Sequence, residues 1–229
     1  MVVVDDSMDA CQRSCYQKRT ARFLYDVFVE EQGWQQFPPD NPSGLRVTVD
    51  AFGSRELVDD FTERAVWIVE EDTGETTMTA TSTQNTGIVG CLRLIHPDLF
   101  GGRAESERYI VNEEERLLFD GLKPYVEANR FAVAKEYRTA TVTYRLMHMF
   151  GKYARDHWPD RAILGINSGD ALKYLMTKSG ATLIKEDYFE YNKNCGEEAC
   201  NVFLYKPGPG IDKFLQSTEG SMRLVKSRT

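Results

Sequence analysis

The 229-residue chain has no run approaching the roughly 18 consecutive apolar residues of a membrane-spanning helix, which excludes a helical membrane protein. It has no excess of positive charge: at a net charge of −7, a general nucleic-acid binder is excluded and any basic patch must be local. Histidine is scarce, and His96, His148 and His157 do not approach the spacing of a metal-ligand set. The 5 cysteines include no CxxC pair; Cys11 and Cys15 stand one helical turn apart and Cys195 and Cys200 flank a GEEA loop. That usage fits ordinary reduced thiols in a cytoplasmic protein, with no metal site expected. The opening MVVVDDSMDACQ lacks the basic n-region of a secretory signal. No internal repeat or linker-like break in composition is visible, so a single domain over 1–229 is expected.

What is present is an alternation of apolar strands and amphipathic helices. Residues 9–33 carry Tyr16, Phe23, Leu24, Val27 and Phe28 at helical intervals before Gly33. LRVTVDAF, RAVWIVEE and GIVGCLRLI read as strands, the last two separated by a polar excursion, DTGETTMTATSTQNTG. Residues 98–123 read as an acidic, helical insertion with little motif content. NRFAVA, the helix Thr141 to His157, the strand AILGIN and the helix Asp170 to Ser179 follow. TLIKEDYFEY and NVFLYKP then pair as a closing hairpin, and 206–229 is expected to be a loosely held tail. This order describes an α/β domain with a mixed sheet.

The chemistry concentrates in EANRFAVAKEYR, residues 127–138. Glu127 and Arg130 stand three apart where a buried strand begins. Buried charge is costly, so the two either neutralise one another as a structural pair or are kept for chemistry. The residues alone leave both readings open.

The strand followed by KEYRTATVTYRLMHMF resembles the GNAT acyltransferase superfamily, whose sheet is mixed and splayed between helices. There a strand runs into a turn whose backbone amides, at a helix N-terminus, hold the pantetheine or pyrophosphate of an acyl thioester. The resemblance assigns that role to Val133, Arg138, Thr139, Ala140, Thr141, Val142 and Thr143. Arg138 matches the acetyl-CoA pattern [QR]xxGx[GA], while threonines replace its small residues. A narrower resemblance covers residues 20–185. VFVEEQGW is similar to the VFxxxLGW of autoinducer (acyl-homoserine-lactone) synthases and N-acyl amino acid synthases, VGCLRLIHP to VGxxRLLPT, and EANRFAV to ExSRFAV. These place Phe28 and Trp34 at the acceptor site and Asp50 near the ExDxxD stretch. They put Arg93, Glu127 and Arg130 on the functional residues. Leu24 stands where the family has an arginine and the first aspartate has no counterpart, so the N-acyl amino acid branch fits better than a lactone synthase using S-adenosylmethionine.

The resemblance implies transfer of a fatty acyl group from acyl carrier protein or CoA to the amine of an amino acid or related metabolite. Glu127 is the base, Arg93 and Arg130 hold the acceptor or orient Glu127, and no cofactor is permanently bound. Acetyl-type enzymes place an acid tyrosine four residues before the glycine of the last helix. Here Met176 holds that position and Tyr174 is two residues off. An acetyl-CoA N-acetyltransferase and a non-catalytic thioester-binding module remain the rival classes. Methionines Met147, Met149 and Met176 suit either a core or a plastic acyl tunnel. Arg145, His148, Lys152 and Arg155 share one helix face, and Arg145, Lys152 and Arg155 are expected to dock an acidic acyl carrier protein.

Overall fold

The computed structural model describes residues 1–34, 37, 41–72, 87–138, 140–190 and 199–226. Thr139, Cys195 and the polar excursion over 73–86 therefore lie outside the described residues. Among the described residues, nine strands and five α-helices are arranged around one seven-stranded sheet of order β1-β4-β5-β6-β7-β9-β8. Its strands are β1 (Val2–Val4), β4 (Val66–Glu71), β5 (Ile88–Ile95), β6 (Tyr125–Val133), β7 (Ala162–Asn167), β8 (Thr182–Phe189) and β9 (Cys200–Tyr205). A separate hairpin joins β2 (Arg46–Val49) and β3 (Arg55–Val58).

All described strand pairs of the large sheet are antiparallel except β6 with β7. Those two are linked by a long crossover, helix α3 (Ala140–His157), as a parallel pair requires. Their ladder ends at Ala128 opposite Gly165, although β6 continues to Val133 and β7 to Asn167. The two strands therefore splay, and a cleft opens between them.

Two apolar layers cover the sheet. Helix α1 (Ala10–Leu24) starts at Asp9, whose carboxylate accepts from the Cys11 and Gln12 amides, and it runs into a wider π-helical turn at Tyr25–Glu31. It packs with helix α2 (Glu113–Leu122) and short 3₁₀ turns on the face that carries Trp67, Cys91 and Tyr125. The opposite face, with Leu92, Leu94, Val126 and Ala128, is covered by α3 and by two further helices, α4 (Asp170–Lys178) and α5 (Pro209–Lys226).

Helix α5 corrects the expectation of a loose tail. Its Ile211, Phe214 and Leu215 are buried against α3, and the Phe214 ring lies tilted against Phe150 and Tyr205 at centroid distances of 4.9 and 4.8 Å. The polar surface of this helix hides a regular apolar stripe, which burial against α3 stabilises. The segment 98–123 is also less helical than expected: two 3₁₀ turns precede α2.

Candidate active site

The site begins with an irregularity in β6. Between the pairs Cys91–Ala132 and Arg93–Asn129, two steps along β5 match three along β6, so β6 carries an extra residue. Arg130 takes a left-handed backbone with φ of 50°, a conformation costing an arginine about 1–3 kcal/mol. The bulge changes which side chains share a face. Tyr125, Glu127 and Asn129 alternate onto the α1 face. The extra residue adds Arg130 to it, and Ala132 and Ala134 resume the pattern. Glu127, Asn129 and Arg130 thus meet on one side, opposite Arg93 of β5.

There they form a buried charge network with residues the sequence did not single out. The Arg93 guanidinium donates through Nε to Asn129 Oδ1 at 2.8 Å, through Nη1 to both Asp59 oxygens at 2.7 Å, and through Nη2 to Glu105 Oε2. Arg130 Nη2 donates to Asp59 Oδ2 at 2.9 Å and Glu105 Oε1 at 2.6 Å. Asn129 Nδ2 bridges Glu105 Oε2 at 2.8 Å and Glu127 Oε1 at 2.6 Å. Ser106 donates both its amide and its hydroxyl to Glu127 Oε2, at 3.0 and 2.5 Å. Arg93 is packed between Trp67 and Phe61, whose centroids are 5.4 and 5.7 Å from its Cζ. Every member of this network is at most 5% exposed.

The two ends of the network differ electrostatically. Burial alone would raise the Asp59 carboxyl, but Arg93 and Arg130 outweigh it and hold the group well below the usual carboxylate range. Glu127 goes the other way: burial first, and then the nearby Glu105, push it up to about 7, against the opposing Ser106 hydrogen bonds. A carboxyl with that proton affinity is suited to exchange protons near neutrality.

On the other side of the bulge lies the cleft between the splayed strands. It is apolar, with a free volume of about 40 Å³, and Ala128, Asn129, Phe131, Met147, Gly165 and Met176 line it. A Cβ added at Gly165 would overlap Met176 Cε, so the glycine is what lets this methionine lie across the strand. Asn129 belongs to both neighbourhoods, reaching Glu127 with its amide and flanking the cleft.

The remaining expected residues fall in several places. Arg138 ties down the end of β6, donating to the Val133 carbonyl at 3.0 Å and to Glu31 at 2.7 Å. Thr141, Val142 and Thr143 lie at the start of α3, which holds no acidic residue in its first turn, and a helix N-terminus favours an anion. Phe28 and Trp34 stack at 4.5 Å, both buried in the core of the α1 face. Asp50 is not brought to the network: it accepts from the Phe52 and Ser54 amides, closing the β2–β3 turn, and pairs with Arg22. Asp59, nine residues on, is the acid of this stretch that reaches the network, where it joins Arg93 and Arg130 as Glu105 does. Tyr174 is 66% exposed, whereas Met176 is buried.

The basic stripe is divided. Arg145 is taken up by the buried Glu70 at 2.7 Å, and Arg155 by Asp156 at 3.0 Å. His148 meets Thr218 of α5 at 3.1 Å, and Lys152 lines a groove that α5 closes with Asp212 and Glu219. The carrier-protein dock expected of this face is thus partly neutralised by its neighbours.

No family model and no curated protein sequence matches the chain. Solved structures do. The acyl-homoserine lactone synthase LasI superposes with a TM-score of 0.59 at 13% identity, covering 94% of this chain and 93% of that one. BjaI, a CoA-dependent synthase solved with SAM and isopentyl-CoA, gives 0.56 at 13% identity over 95% and 88%. MesI, also CoA-dependent, gives 0.52 at 18% over 95% and 94%. The fold is that of the acyl-homoserine lactone synthases. Its sheet is mixed and splays between β6 and β7, as expected from the sequence. Within it, no group of acids, histidines and cysteines able to hold a metal exists among the described residues. No described helix is long and apolar enough to cross a membrane.

Proposed function

We propose that the chain is an N-acyltransferase that moves a fatty acyl group from a pantetheine thioester to the amine of an amino acid or related metabolite. The observation that carries this reading is a fully buried glutamate one residue from the point where β6 and β7 splay, in surroundings that push its carboxyl up to about 7. The thioester enters the cleft with its pantetheine arm along the unpaired end of β6 and its phosphate toward the first turn of α3. An ammonium acceptor has no lone pair, so it first loses a proton, which passes to Glu127 by way of a water admitted to the cleft. The free amine attacks the thioester carbonyl; the C–N bond forms and the negative charge moves to oxygen, where backbone amides of the splayed strands are the donors. Collapse breaks the C–S bond. The second amine proton goes to the departing thiolate, and the products are an amide and a free thiol.

The apolar lining favours an acyl chain over an acetyl group. Met147 and Met176 are flexible thioethers that can yield to a chain longer than the resting cleft holds. Each buried methylene is worth about 0.8 kcal/mol, so kcat/KM is expected to rise steeply from acetyl- to octanoyl-CoA. Replacing Met176 by Ala should move the optimum to longer chains. Mass spectrometry of products from an amino-acid mixture with an acyl-CoA series checks both points. Equal or better use of acetyl-CoA would instead make the protein an ordinary acetyltransferase, and no acylated amine with any donor would leave a binding module.

Acyl carrier protein is the proposed donor, with Lys152 and Arg155 as the exposed part of its dock. Arg145 is a poor test residue, because Arg145→Glu would set a second carboxylate against buried Glu70. For Lys152→Glu with Arg155→Glu, we expect KM for carrier-borne substrate to rise roughly three- to tenfold at low salt, with acyl-CoA kinetics unchanged. Equal effects on both donors, or none, would favour CoA.

A further inference from the structure

The segment between β5 and α2 contributes Glu105 and Ser106 to the site, and this chain places them where they act on the base from opposite directions. The buried network holds three carboxylates, Asp59, Glu105 and Glu127, against two guanidiniums, Arg93 and Arg130. Asp59 and Glu105 each contact both arginines. The hydrogen bonds that Ser106 and Asn129 give to Glu127 come from neutral groups. In a sealed site the third negative charge is the costly one, and Glu127 is where a proton best relieves it. The two carboxylates Glu105 and Glu127 are separated by a single amide nitrogen, Asn129 Nδ2, which donates to both.

We propose that Glu105 and Ser106 are opposed positioning residues for Glu127: Glu105, acting across the shared Asn129 amide, keeps a proton on it, and Ser106, with two donors on one oxygen, favours its carboxylate. The balance leaves the base poised to take up and release one proton per turnover. The proposal rests on Glu127 being the base of the reaction above.

The other charged and titratable groups around Glu127 do not replace either role. Arg93 faces it from β5 and draws it toward the carboxylate, while Arg130 of β6 is engaged by Asp59 and Glu105. Glu107 is engaged by the Tyr125 hydroxyl at 2.6 Å and by Lys123 at 2.9 Å. Tyr188 of β8 donates its hydroxyl to the Ser106 carbonyl at 3.1 Å and so holds the serine in place. Burial pushes both Tyr125 and Tyr188 up, with acidic neighbours adding to it, so both phenols stay neutral where Glu127 titrates.

The test titrates the Glu127 carboxyl directly in full-length protein carrying ¹³C-labelled glutamate, its resonance assigned by its loss in Glu127→Gln. In Glu105→Gln the midpoint should fall by about one pH unit or more, since a buried like charge has gone and the arginines act on Glu127 unopposed. In Ser106→Ala it should rise by a similar amount, as two donors become one. The acid limb of kcat/KM should follow in each variant. Shifts of the same sign, or no shift in either, overturn the proposal. If Glu105→Gln does not fold, Ser106→Ala decides alone, an unmoved midpoint refuting it. Midpoints that move as stated while the rate profile does not would leave this pairing intact and remove Glu127 from the role of base.

Discussion

Glu127→Gln is expected to lower turnover about 10²–10⁴-fold while leaving the fold intact, the range observed when a positioned general base is removed. Glutamine keeps the shape, so it can still accept from Ser106 with its carbonyl oxygen. What it loses is the ability to take a proton. Stability should respond in a pH-dependent way that separates chemistry from folding. Glu127 is raised in the folded protein to about 7, whereas an unfolded glutamate titrates near 4.3. A carboxyl raised by folding binds more protons in the native state between those values, so its contribution to stability falls as pH rises from about 4.3 through 7. The neutral glutamine has no such loss. At pH 8 the variant should therefore unfold at or above the wild-type temperature, while its rate collapses. A variant that turns over like wild type would show that Glu127 is held for structure. A variant that loses rate and stability together would show that the substitution had broken the network instead.

The residues differ in how far the sequence alone exposed them. Arg93, Glu127 and Arg130 were visible because each sits in a short motif whose spacing is tied to one strand. The splay of the sheet followed from the same resemblance. Asn129 lies inside the EANRFAV motif and escaped notice because its meaning depends on the bulge, which puts residues 129 and 130 on one face. Strict alternation would have sent Arg130 to the opposite side. Asp59 and Glu105 were hidden for a different reason. Each reaches the site from an irregular segment, where no period announces which way a side chain points, and each is separated from its arginine partners by 12 to 71 residues. The signal available was an acid amid apolar neighbours, as in LVDDF, and that pattern is equally common in turns. Asp50 shows the converse: an acid near the expected stretch whose oxygens are consumed in closing its own turn. Helix α5 was missed because its apolar stripe, Ile211, Phe214 and Leu215, is thin and set among polar and charged residues.

The second large effect concerns the centre of the network rather than its reactive end. Arg93→Met should destabilise the protein by about 3–5 kcal/mol, the cost of leaving buried charges without their partner. Methionine approximates the length of the arginine stem and keeps contact with Trp67 and Phe61, so the change isolates the guanidinium from its packing. Its removal takes four hydrogen bonds at once: one to Asn129, two to Asp59 and one to Glu105. Arg130 is then left to balance two carboxylates that are each essentially inaccessible to water. For a chain of this size, 1 kcal/mol corresponds to roughly 2–4 °C, so the melting temperature should fall by about 6–20 °C. The pH dependence gives the loss a signature. Asp59 is depressed in the wild type, so its stabilising contribution is present above the unfolded value near 3.9 and disappears as pH falls below it. Without Arg93 that depression shrinks, and the difference between variant and wild type should be largest near neutrality and narrow under acid conditions. Thermal unfolding of the two proteins from pH 3 to pH 8 measures this directly. A constant difference across that range would mean that the depression of Asp59 contributes little to what the Arg93 guanidinium does for stability.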